Sequence, residues 1–130
     1  MTRLRAAFVI LLLGLALVFL LASCAQAPVG LPPIPATLPS LTGPVPVVWM
    51  DSLTDADGHP ILGGYSPTHR TVYINRVVTD RRAQWLVARH EMCHHDMLAV
   101  GLHNIMDPKV AQAVCDWSAL RDVRRMLGAP

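Results

Sequence analysis

"TDRRAQWLVARHEMCHHDMLAVG", residues 79–101, decides the fold. It contains no proline, and its single glycine stands at the end, so nothing inside interrupts a helix. Thr79 or Asp80 supplies an N-cap and Gly101 a C′ stop. Arg82, Arg89 and Asp96 recur every seven residues as a polar stripe, while Val87, His90, His94, Met97 and Leu98 fall on the opposite side. Inside this helix "HEMCHHD", residues 90–96, crowds three histidines and two acids into seven positions. Such groups are costly to bury without a partner, so placing two of the histidines on the less polar side implies something that binds them.

Downstream, a second helix is equally well punctuated. Asp107 is a good N-cap, Pro108 takes the first helical position and Gly128 follows the end. Between them Val110, Ala113, Val114, Trp117, Leu120 and Leu127 share one apolar face. Upstream the period changes to that of strands. "VPVVWMDS" (45–52) and "TVYIN" (71–75) are β-branched and aromatic, and a short strand is expected within "PILGGY" (60–65). Asp57-Gly58 marks a turn between them. The expected class is α+β, a small two- to three-stranded antiparallel sheet packed on two helices.

The chain opens with the basic "MTRLR", the apolar run "AAFVILLLGLALVFLLA" (6–22) and the close "LASC" (21–24). This order is that of an export signal. A cysteine directly after small residues resembles a bacterial lipoprotein signal, which implies cleavage before Cys24 and lipid on that cysteine. An uncleaved membrane anchor is the other reading, since the run is about long enough for a span. Prolines at 28, 32, 33, 35, 39, 44 and 46 forbid helix and favour a stiff, extended spacer. The expected organisation is a signal at 1–23, a Pro-rich tether at 24–44 and a folded domain at 45–130, facing the periplasm or exterior of a bacterial envelope. Without Arg3 and Arg5 the basic residues fall from 11 to 9, equal to the 9 acids, which gives no support for nucleic-acid binding.

His90 and His94 lie four apart on a helix, so both rings project from one face and can converge on one ion at about 2.0–2.1 Å. Glu91 sits on the flank of that face and is the only glutamate in the chain. His90-Glu91-x-x-His94 resembles the zincin metallopeptidases, and the order of strands, motif helix and second helix resembles their small gluzincin-like members over about residues 60–125. The resemblance implies a zinc site and hydrolysis of peptide bonds in a peptide or protein substrate, with Glu91 as general base.

A catalytic zinc needs a third protein ligand. Asp116, on the edge of the second helix's apolar face, is the first choice, and His103 is the rival. The chain departs from the gluzincin branch at Gln112, which stands where that branch carries its glutamate ligand. The competing reading is an envelope lipoprotein with a structural zinc closed by four ligands, His103 being the fourth. Tyr65 is a candidate oxyanion stabiliser, and His95 reads as an exposed helix residue. Cys93 and Cys115 each precede an expected ligand, so two antiparallel helices presenting those ligands would bring the sulfurs together. In an exported protein that favours a Cys93–Cys115 disulfide, stabilising by about 3 kcal/mol.

Overall fold

The computed structural model describes residues 30–129. Its sheet is built around β4 (Thr71–Asn75), whose β-branched run is buried at four of five positions. On one side β2 (Val45–Met50) pairs with β4 in parallel, Val47 opposite Val72 and Trp49 opposite Ile74. On the other side β3 (Gly63–Ser66) pairs antiparallel, Gly64 opposite Tyr73. A two-residue strand, β1 (Thr37–Leu38), joins the far edge of β2. The order is β1-β2-β4-β3.

The class is α+β, as expected, but the sheet has four strands and is mixed rather than antiparallel. After β2 the chain does not turn straight back. Residues 51–62 cross the end of β4 and return as β3 on its outer side. The Arg76 amide donates to Met50 O at 2.8 Å, the Asn75 amide to Leu62 O at 2.9 Å, and the buried Asn75 side chain to Ile61 O at 3.0 Å. Antiparallel neighbours follow from tight hairpins, whereas parallel ones need a long connection. No local signal in residues 51–62 says which side of β4 the returning strand will take.

The Pro-rich segment also differs from the expected spacer. Leu31 and Ile34 pack against the core, and Leu38 is among its largest fully buried side chains. The Trp85 indole N–H donates to Pro32 O at 2.7 Å, and the Val47 amide donates to Ala36 O at 2.8 Å. The prolines do hold the chain extended, and an extended chain is what the edge of a sheet accepts. The folded unit therefore begins at Leu31, not Val45. The expected signal and the lipidation site Cys24 lie outside the described residues.

Helix α1 (Arg81–Ala99) starts at Asp80, whose carboxylate accepts from the Ala83 amide at 2.8 Å, and is followed by Gly101 in the left-handed region at φ 77°. A 3₁₀ turn (Leu102–Asn104) leads to α2 (Pro108–Met126), capped by Asp107, which accepts from the Lys109 and Val110 amides at 2.9 and 3.3 Å. The main core joins Leu38, Val45, Val47, Val72 and Ile74 to Trp85, Ala88 and Met92 of α1 and Val123 of α2. A disulfide between Cys93 and Cys115 ties the helices, their Cα atoms 5.4 Å apart.

Both helices are turned relative to the sequence expectation. Helix α1 buries Trp85, Ala88, Met92, His95 and Met97, leaving Val87, His90 and His94 half-buried on its flank. Helix α2 buries the small side chains Ala111, Cys115 and Ala119 together with Val123, whereas Val110, Val114, Trp117, Leu120 and Leu127 are exposed. Small residues let two helices approach closely, and here that close approach outweighs burial of the larger apolar face.

Candidate metal centre and cleft

The flank of α1 that the core leaves free looks onto α2. His90 and His94, one turn apart, bring their Nε2 atoms within 3.0 Å of each other. Gln112 on α2 completes a triangle: its amide nitrogen donates to His90 Nε2 at 3.1 Å, and its Oε1 accepts from His94 Nε2 at 3.3 Å. The sequence places Gln112 one turn before Asp116, and the disulfide one residue before Asp116 fixes the height of α2 against α1.

Asp116 does not stand beside that triangle. Its Oδ1 lies 2.9 Å from Nδ1 of His90, on the other side of the ring from Nε2. The residue expected as third ligand thus stands behind His90 rather than beside the pair of Nε2 atoms. A carboxylate on that side of a ring favours the tautomer with its proton on Nδ1 and its lone pair on Nε2. Among the described residues, the group of three His, Cys, Asp or Glu side chains with ligand atoms within 4.8 Å of one another is Asp55, Asp57 and His59, not His90, His94 and Asp116. That exposed group is a turn satisfied from within, since Asp55 Oδ1 accepts from the Asp57 and His59 amides at 3.0 and 2.8 Å. The rival ligand His103 lies on the exposed 3₁₀ turn, its ring centroid 5.9 Å from that of His94.

Glu91 lines a cleft of about 600 Å³ together with His90, Gln112 and Asp116; Leu62, Val87 and Leu120 supply apolar walls. Its carboxyl makes no hydrogen bond among the described residues. Burial pushes its pKa up from 4.5 to about 7. His94 moves the other way, lowered by burial and then by the neighbouring His90, which favours the neutral imidazole a metal requires. Strand β3 forms the rim. A side chain at Gly63 would run into Val87 Cγ1 and come within 3.2 Å of the Tyr73 carbonyl, so glycine permits the close approach of β3 to α1 beside Glu91.

His95 is 3% exposed, contrary to the expectation of a surface residue. Its Nδ1 is 2.7 Å from the Tyr65 hydroxyl, and its Nε2 is 3.0 Å from both Ser40 Oγ and Thr42 Oγ1. Arg70, at φ 49° in the β3–β4 turn, donates to Thr42 O and Oγ1, each at 3.0 Å. Tyr65 is therefore engaged with His95, which joins α1, β3 and the loop at residues 40–43 behind the site. The spacing 85, 88, 92, 95 carried the signal, because it puts His95 on the same face as Trp85. No protein-family model, curated protein or solved structure matches this chain.

Proposed function

We propose that the chain is a membrane-tethered, zinc-dependent peptidase in which His90, His94 and Gln112 hold the ion. The observation that carries this is the convergence of the two Nε2 atoms, 3.0 Å apart, on the Gln112 amide, whose Oε1 lies 3.3 Å from His94 and whose nitrogen lies 3.1 Å from His90, next to a half-buried carboxyl. Four-coordinate ligands at 2.0–2.1 Å from zinc are about 3.3 Å apart, close to the Nε2–Nε2 spacing of 3.0 Å and the His94 Nε2–Gln112 Oε1 spacing of 3.3 Å.

Bound there, zinc supplies Lewis acidity, polarising a carbonyl and acidifying a water. The chain's residues do the rest. Asp116, with its carboxylate 2.9 Å from His90 Nδ1, would favour a proton there and leave Nε2 free for the ion. Glu91 accepts the proton of the attacking water and returns it to the departing amine. A carboxyl whose pKa lies near neutrality serves both steps. Among the described residues the outer edge of β3 has no partner strand, so an extended peptide can add to it and lie along the cleft. Residues 1–24 support an envelope location, with lipid on Cys24.

The test is Glu91→Gln. The variant is expected to retain zinc, measured by elemental analysis, and to lose hydrolysis of a mixed peptide library. Parent-level cleavage by the variant would eliminate Glu91 as the base. The proximity of His103 to His94 favours one competing arrangement, a non-catalytic zinc closed by four ligands. In that case the parent cleaves nothing, and His103→Ala lowers its zinc content.

A further inference from the structure

Helix α2 turns an unusual face to solvent. Trp117 is 61% exposed, Val110 is 51% exposed, and Val114 lies between them on the same line. One turn beyond Trp117 the face becomes basic, with Arg121, Arg124 and Arg125. Shallow grooves flank Trp117, one lined by Val110, Ala113 and Val114, the other by the three arginines. The Arg121 guanidinium lies 4.8 Å over the indole and reaches Asp122 at 3.5 Å. Arg124 and Arg125 have no acidic partner among the described residues. The buried face, Ala111, Cys115, Ala119 and Val123, is on the opposite side, and among the described residues no other element covers this one.

We propose that this face of α2 docks on an anionic bilayer surface. Aliphatic side chains that enter the acyl boundary, an indole at headgroup level and arginines for acidic headgroups form the combination that binds such an interface. The acids of α2 lie beside other charged or titratable groups: Asp116 is 2.9 Å from His90, and Asp122 meets Arg121. The length of the connection favours the same occupant. Leu31 is packed on the core, so only residues 25–30 separate the folded unit from Cys24. Seven steps of chain reach no more than about 25 Å. A domain on so short a leash, behind the apolar run 6–22, meets lipid at a far higher effective concentration than any soluble partner. The inference rests on the reading of residues 1–24 as a membrane attachment.

The full chain is reconstituted with vesicles of phosphatidylcholine alone or mixed with phosphatidylglycerol, each with brominated acyl chains. Flotation reports attachment through the N-terminal segment. The fluorescence difference between the parent and Trp117→Phe isolates Trp117 from Trp49 and Trp85. In phosphatidylglycerol vesicles Trp117 is expected to shift to the blue and lose most of its emission. Much less loss is expected in phosphatidylcholine alone, or when Arg121, Arg124 and Arg125 are all changed to Gln. Flotation with an unquenched Trp117 overturns docking and leaves the attachment standing; failure to float overturns both. An unquenched Trp117 that is nonetheless shielded from aqueous acrylamide assigns the face to a second copy or another protein, which also overturns the proposal.

Discussion

At the scale of single residues, the proposed site separates groups that would hold the ion from groups that would position them. Asp116 belongs to the second kind. Loss of the carboxylate that orients a ligand histidine commonly weakens metal binding by about 10- to 100-fold. Asp116→Asn is therefore expected to raise the zinc Kd within that range, by competition titration with a chromophoric chelator, and to leave the metal-free fold intact. An unchanged Kd would count against its contact with His90. Glu91 offers a different measurement. Its folded pKa of about 7 lies above the ordinary 4.5, so the metal-free folded state binds the proton more tightly than the unfolded chain. The resulting stability is fully present below pH 4.5 and is lost as pH rises through 7. The loss is at most about 3 kcal/mol, from 1.36 kcal/mol per pKa unit. Urea titrations of metal-free parent and Glu91→Gln, run from pH 4.5 to 8, should show a pH-dependent gap between them. Parallel curves would mean that Glu91 is not buried as described.

At the scale of elements, the cleft exists because a strand and a helix touch where a side chain would intervene. Gly63→Ala forces its new methyl against Val87 and the Tyr73 carbonyl. The expected cost is about 1–3 kcal/mol, by thermal or urea unfolding, together with lower hydrolysis as β3 is pushed away from Glu91. Full stability and activity in this variant would show that β3 has room to spare. The elements themselves were well marked in the sequence. Asp80, Asp107, Pro108, Gly101 and Gly128 fixed the helix ends, because capping chemistry is local. The faces were less legible. On α2 the apolar residues Val110, Val114 and Trp117 form a plausible core stripe, yet the small residues on the other side are buried. Sequence periodicity identifies a stripe but does not say whether bulk or close approach will decide the packing.

At the scale of the whole molecule, the proposed ion links two helices that the disulfide already joins, so binding should stabilise the entire domain. At a hundredfold excess over Kd the gain is about 2.7 kcal/mol. For a domain of this size that corresponds to a rise in Tm of about 10–20 °C. Zinc should produce this shift in the parent and fail to do so in His90→Ala or His94→Ala; a shift of equal size in those variants would place the ion elsewhere. The sequence by itself determined the two helices and their caps, three of the four strand segments and the placing of His90 and His94 on one side of their helix with Glu91 on the flank. Each of these depends on spacing within one element, where geometry is fixed by the backbone. Tertiary structure alone decided that β2 runs parallel to β4, that the chain from Leu31 lies on the core, that His95 is buried, and that Gln112 rather than Asp116 faces the two Nε2 atoms. Those outcomes depend on how far one helix rotates against another and on which strand edge a distant segment reaches. Both are set by packing summed over the whole chain, and no short stretch of residues encodes them.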